Sequence, residues 1–300
     1  MTLAPLRSPL RWVGGKSRLR QAVIARLPPH NCYVEPFAGA AWVLFGKAPS
    51  PVEVLNDRDG ELVNFFQVLK VQPQELLAAF RWELVAQAEF TRLAALDPTQ
   101  LDAVARAHRF YYLLMAGWGG ELHYPRFQTS ITDGGHGNRL IGALTDLEAR
   151  LLPIHARLRT VVIENLDWPV CLDRYDRPGA VLYLDPPYPD NGCNYVHNMR
   201  DWESHTRLAA RLATTRCQWI LSLPDTPRVR ALYNSYDIHA VQATSGMKVT
   251  QTSTARVVNR EVLITNYSVP LAPPIRRGHP LDRQGGRTAS VPGATAEQER

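Results

Sequence analysis

Six short apolar runs, separated by helix-length segments, constrain this chain more than any other feature. They are Tyr33-Val34-Glu35, Val52-Glu53-Val54-Leu55, Val161-Val162-Ile163, Val181-Leu182-Tyr183-Leu184, Trp219-Ile220-Leu221-Ser222-Leu223 and Val262-Leu263-Ile264. Parallel neighbours in a sheet need a crossover long enough to hold a helix, whereas antiparallel neighbours need only a tight turn. The alternation therefore predicts an α/β fold, with a mostly parallel sheet and helices on both faces.

Helix signals fill the intervals. Asp59 is placed to cap a helix through Leu69, with Leu62, Phe65, Phe66 and Leu69 on one face. Residues 74–95 and 99–116 predict two more helices, the second ending near Gly117. Trp202 to Thr214 predicts another, with Leu208 and Leu212 inward and Arg207 and Arg211 on a different face. Thr226-Pro227 reads as a helix start, Thr as cap and Pro in the first turn. The Gly-rich stretch from Gly117 to Asn138 is too long for a plain connection and reads as a recognition loop. These signals divide the chain into a domain built from 1–70 and 155–270, an inserted helical and loop region at 71–154, and a tail at 271–300. The tail is rich in Pro, Gly and Arg with few large apolar residues, which predicts disorder.

Charge and cysteine usage narrow the setting. Lys and Arg outnumber Asp and Glu by 34 to 28, and a net charge of +6 suits a polyanionic partner such as nucleic acid. Cys32, Cys171, Cys193 and Cys217 form no C-x-x-C pair, so they read as reduced thiols rather than a zinc site. No uncharged apolar stretch is long enough to span a bilayer. The residues after Met1 lack the apolar core of a secretory signal, so a cytoplasmic location is expected.

Three motifs carry chemistry. Glu35-Pro36-Phe37-Ala38-Gly39-Ala40-Ala41 follows a strand-like run directly, as a loop that lets backbone amides approach a nucleotide-like ligand does. Asp57 follows the next run, where an acid commonly accepts ribose hydroxyls. A tight strand–helix turn with a capping Asp accounts for the same residues. Asp185-Pro186-Pro187-Tyr188 comes straight after Leu184. Two prolines remove amide donors and leave carbonyls free; Asp185 adds an acceptor and Tyr188 a flat aromatic face. Acceptors beside a stacking platform suit an exocyclic amino group on a planar base. Arg11-Trp12-Val13-Gly14-Gly15-Lys16 invites a phosphate-loop reading, but Leu10 stands where the first Gly of that pattern would fall.

In this order, with Leu55-Asn56-Asp57 between them and the closing run Asn259 to Tyr267, the motifs resemble the Dam-type site-specific DNA adenine-N6 methyltransferase family over about 7–267. The resemblance implies an S-adenosylmethionine (AdoMet)-dependent methyltransferase fold, Rossmann-like, with an inserted DNA-recognition subdomain. Trp12, Gly15 and Lys16 then match the N-terminal cofactor motif, Phe37 and Gly39 the cofactor loop, and Asp57 the ribose acid. Asp185 and Pro186 match the acceptors for the target amine, Asp185 lying near the cofactor as well, and Tyr188 matches the ring that stacks on the flipped adenine. The segment from about Gly117 to Arg139 corresponds to DNA recognition, with Trp118-Gly119-Gly120 and Phe127-Gln128 near its two ends. Within it Arg126, Gln128, Asn138 and Arg139 are the side chains able to read base edges. Arg200, Arg207, Arg211 and Arg216 follow Tyr188 and suit DNA phosphates; a solvated helix face equally explains Arg207 and Arg211.

Two departures stand out. Ala41 replaces a family Gly, which a negative φ there would tolerate. The recognition segment lacks the Arg and Asn pattern of GATC readers, so the target sequence is not inherited. No metal is implied, a monomer on double-stranded DNA is expected, and nothing specifies a cognate restriction nuclease. An amino-methyltransferase of cytosine N4, RNA adenine or a protein Gln amide remains an alternative, as does a catalytically silent DNA-binding protein of the same fold.

Overall fold

The computed structural model describes residues 5–12, 14, 16–117, 125–128, 138–190, 199–244 and 258–269. Gly15, Trp118, Gly119, Gly120 and the tail 271–300 lie outside the described residues. Seven strands form one sheet: β1 (Cys32–Glu35), β2 (Val52–Asn56), β3 (Val161–Glu164), β4 (Ala180–Leu184), β5 (Gln218–Pro224), β6 (Asp237–Thr244) and β7 (Val258–Thr265). Their order is β3-β2-β1-β4-β5-β7-β6, with β1 to β5 parallel and β7 antiparallel to both its neighbours. This is the mostly parallel α/β sheet predicted by the alternation of runs, and it agrees with the Rossmann-like methyltransferase fold that the resemblance implies.

Each of the six apolar runs became a strand; β6 carries no such run. Among the described residues it is an edge strand with β7 as its one neighbour, so a long apolar run is not needed to bury it. The chain winds from β1 outward to β3, then returns to β4 on the other side of β1. Loops leaving β1 and β4 therefore flank the crevice at the point where winding reverses, the place where α/β sheets bind ligands.

Helices cover both faces. On one side lie α1 (Arg20–Ile24), α2 (Trp42–Gly46), α3 (Gly60–Val71), α4 (Pro73–Ala79), α5 (Gln87–Ala95), α6 (Ala103–Ala116), α7 (Arg139–Thr145) and α8 (Leu147–Leu158). On the other lie α9 (Trp168–Tyr175), α10 (Trp202–Ala213) and α11 (Pro227–Leu232). Asp59 caps α3 by accepting from the amides of Glu61 and Leu62, and Leu62, Phe65, Phe66 and Leu69 are buried as their spacing predicts. Leu76, Phe90 and Phe110 of the 71–154 region join one cluster with Phe65 and Val181, so the insertion packs on the sheet side through a shared core.

The single helix expected over 74–95 is two. The Tyr112 hydroxyl, from α6, donates to the Leu84 carbonyl at 2.9 Å and accepts from the Ala86 amide at 3.2 Å. Those tertiary bonds satisfy backbone groups that a continuous helix would have used itself. The α6 helix ends where expected, at Gly117; a Cβ there would lie 2.5 Å from the Leu113 carbonyl oxygen.

Candidate active site

The loop after β1 is built around a buried acid at each end. Glu35 accepts from the Tyr33 hydroxyl at 2.7 Å and the Leu44 amide at 2.8 Å. Burial pushes its carboxyl up to about 8, against the pull of those two hydrogen bonds. Asp57 accepts from the Gly39 amide at 2.9 Å and the Asp59 amide at 3.0 Å, and burial raises it to about 6. Its carboxylate thus clamps the loop and retains lone pairs for further donors.

Gly39 has φ +46, and a Cβ on it would meet the Trp12 ring at 3.1 Å. The indole of the N-terminal motif therefore packs on the backbone of the loop. The negative φ that would accommodate Ala41 is not what the structure shows: the residue sits at φ 52, left-handed, at the start of α2. That conformation costs a non-Gly residue about 1–2 kcal/mol, and the burial of Ala41 in the core helps to hold it there.

The loop after β4 supplies the second half. Asp185 accepts from the Ser222 hydroxyl of β5 at 2.8 Å and pairs with Lys16 Nζ at 2.9 Å. The Lys16 ammonium also lies 4.5 Å from the centre of the Tyr188 ring and 3.6 Å from Glu261 of β7. Tyr188 donates its hydroxyl to the same Glu261 carboxylate at 2.5 Å. Burial disfavours the Lys16 charge, but Asp185 and then Glu261 outweigh it, and the ammonium is held protonated. Behind the motif, His205 of α10 donates Nε2–H to the carbonyls of Pro187 at 3.1 Å and Met199 at 2.9 Å. Burial lowers the His205 pKa, which keeps the ring a neutral donor.

The structure thus brings Trp12, Gly39 and Asp57 together at the end of β1, and Lys16, Asp185 and Tyr188 together at the end of β4. Phe37 packs partly buried against the second core cluster, and Pro186 is buried. An acid with spare lone pairs, aromatic faces and a close-approach Gly fit a nucleoside-bearing methyl donor. Three contributors were missed by sequence reasoning: Ser222, His205 and Glu261. For Ser222 and Glu261 the available signal was a polar residue within or beside an apolar strand run; His205 carried none.

The expected DNA contacts divide. Arg126 is exposed and Gln128 half-buried. Asn138 departs from its expected base-reading role: it is buried, donates to the carbonyls of Ala116 and Gln128, and caps α7 through Leu140. Arg139 is half-buried, and burial together with the nearby Arg11 charge lowers its pKa, so two guanidinium groups share one locality. Arg200 is half-buried beside Met199, and its carbonyl accepts from Asp190. Arg211 pairs with Asp173 and Asp176, and Arg216 donates to the Asp176 carbonyl. Asp176 precedes β4, so both arginines sit at the opposite end of the sheet from the site and do not line a DNA path beside it. Among the described residues no group of His, Cys, Asp or Glu is placed to hold a metal. No described helix is long and apolar enough to cross a membrane.

A doubly wound sheet with an acidic Gly loop leaving β1 and Asp-Pro-Pro-Tyr leaving β4 defines a methyltransferase of amino groups. The D12 class N6 adenine-specific DNA methyltransferase family matches residues 12–247, and the chain belongs to it. It is 25% identical over 283 residues to a type II methyltransferase of Lactococcus lactis subsp. cremoris, covering 87% of this chain and 96% of that protein. It is 25% identical over 281 residues to the DNA adenine methylase of Salmonella typhi, covering 89% and 98%. With the DNA adenine methylase of Escherichia coli (strain K12) the identity is 26% over 247 residues, covering 78% and 86%. The chain is an adenine-specific DNA methyltransferase.

Proposed function

We propose that the chain uses AdoMet to methylate N6 of an adenine flipped out of duplex DNA, with Asp185, Pro186 and Tyr188 at the reacting centre. The convergence of the Asp185 carboxylate and the Tyr188 ring, beside the Trp12, Gly39 and Asp57 contacts, carries this reading. Trp12, Gly15, Lys16, Phe37, Gly39, Asp57 and Asp185 would hold AdoMet, which supplies an electrophilic methyl group when bound. The protein's task is then to prepare the acceptor.

Adenine's amino lone pair is delocalised into its ring, and the base is stacked in the duplex. Extrusion costs a few kcal/mol, and stacking on Tyr188 offsets about 1–3 kcal/mol of it. Asp185 and the Pro186 carbonyl accept from the amino group, localise its lone pair and stabilise the positive charge that grows on nitrogen. Ser222 fixes the Asp185 carboxylate, and His205 anchors the motif one residue beyond the Pro186 acceptor, at the Pro187 carbonyl, so the loop is held in place before the base arrives. Arg126, Gln128 and Arg139 are the base-edge candidates, and Arg200 a phosphate contact. The chain acts as a monomer in this reading. The buried thiols of Cys32, Cys171 and Cys217 suit a reducing cytoplasm.

Incubation with AdoMet and unmethylated plasmid, followed by nucleoside mass spectrometry, tests the proposal. N6-methyladenine is expected, and Asp185→Asn should lower its formation by at least about 100-fold. N4-methylcytosine, or near wild-type activity of the variant, would refute the assignment.

A further inference from the structure

The target amine and Lys16 compete for the same partners. In the resting site the Lys16 ammonium pairs with Asp185 at 2.9 Å and lies over the Tyr188 ring at 4.5 Å. On the proposed reading, the adenine amino group needs that carboxylate and the adenine ring needs that aromatic face. Lys16 is 7% exposed, so its ammonium is held away from water in the resting site. Leaving a buried ammonium without a counter-charge is strongly unfavourable. A second carboxylate is in reach: Glu261, at 3.6 Å, on β7.

We propose that Glu261 is a positioning residue of the methyl transfer, taking over the Lys16 charge when the target adenine claims Asp185, while holding the Tyr188 ring in the plane on which the base stacks. Two observations support it independently. The Tyr188 hydroxyl donates to the same Oε2 atom that faces Lys16, so one carboxylate senses both the ring and the ammonium. Glu261 is itself 8% exposed in the middle of a strand otherwise followed by Val262, Leu263 and Ile264, where an apolar residue would serve packing better. The inference rests on the adenine reading above and adds to it a route by which the site opens.

Charge and shape can be separated by substitution. Glu261→Gln keeps the length and an acceptor for the Tyr188 hydroxyl but not the charge; Glu261→Asp keeps the charge and shortens the side chain. Single-turnover methylation of unmethylated plasmid at saturating DNA and AdoMet is the assay, with AdoMet affinity measured by calorimetry. Glu261→Gln is expected to slow methylation at least tenfold with AdoMet affinity within threefold of wild type, and Glu261→Asp to retain more activity than Glu261→Gln. A purely structural role reverses that order, since Gln is the better isostere, and the reversed order overturns the proposal. Loss of the folded state in both variants, read by circular dichroism, overturns it too. Absence of N6-methyladenine from the wild-type protein is a different failure: it removes the adenine reading and this proposal with it.

Discussion

Gly39→Ala is the substitution whose sign the loop geometry decides. At an ordinary negative φ with open space, replacing Gly by Ala stabilises a protein by about 0.4–1 kcal/mol, because the unfolded chain loses freedom. Gly39 has neither condition. Its φ of +46 costs a residue with a Cβ about 1–2 kcal/mol. The new methyl would also sit 3.1 Å from Trp12 Cδ1 and 3.2 Å from Nε1, so the indole must yield by a few tenths of an ångström. Overpacking of this kind adds about 1 kcal/mol or more where the neighbour is held. The expected net effect is a destabilisation of about 1–3 kcal/mol, read from urea unfolding at constant m-value. Repeating the substitution in a Trp12→Ala background removes the contact but not the strain. The loss should then shrink to about 1 kcal/mol. A neutral or stabilising Gly39→Ala, or an equal loss in both backgrounds, would refute the packing of Trp12 on the loop.

Other expectations follow from the buried polar groups. Glu35, raised to about 8, is protonated in the folded chain while its unfolded counterpart ionises near 4.5. Its stabilising contribution is full below the unfolded value and is lost as pH rises towards the folded one. Wild type should therefore lose stability relative to Glu35→Gln by about 1.4 kcal/mol per pH unit across that window, and parallel pH profiles would contradict it. Asn138→Ala removes the α7 cap and the donor to the Gln128 carbonyl, for a loss of about 2–3 kcal/mol with AdoMet affinity unchanged; a loss under 0.5 kcal/mol by urea unfolding would show the loop root is held otherwise.

The sheet was legible because its interior strands are largely apolar on both faces, and because the β3 edge carries the apolar run Val161-Val162-Ile163. The β6 edge was not, since Asp237, His239 and Gln242 interrupt its apolar residues and its position is set by pairing with β7. The break between α4 and α5 was invisible for a related reason: Tyr112 causes it from 26 residues away. The Asp-Pro-Pro-Tyr and Glu35–Ala41 motifs were readable as local chemistry. Their supports were not, because Ser222, His205 and Glu261 act through space from β5, α10 and β7. Asn138 shows the converse error. A polar residue beside a Gly-rich loop looks like a reader of bases, yet its amide donors go to two backbone carbonyls and its side-chain oxygen accepts in the α7 cap.

Charge placement at the end of the sheet bears on why this chemistry suits this site. Glu35, Asp57, Asp185 and Glu261 gather there, with Lys16 set against the last two. Burial keeps Glu35 protonated near neutral pH, so it anchors the loop without adding negative charge. Asp57 is turned to the amides of Gly39 and Asp59, while Asp185 and Glu261 lie, on the proposed reading, close to where positive charge would develop on the acceptor nitrogen. An interaction accelerates transfer only if it is stronger in the transition state than before it. On the proposed reading Asp185 would meet that condition, because a neutral amine draws little on its charge and a forming ammonium draws much more. The resting pair with Lys16 is the measure of the same complementarity: the site already binds an ammonium over Tyr188. Its displacement must be compensated, and among the described residues Glu261 is the other carboxylate paired with Lys16.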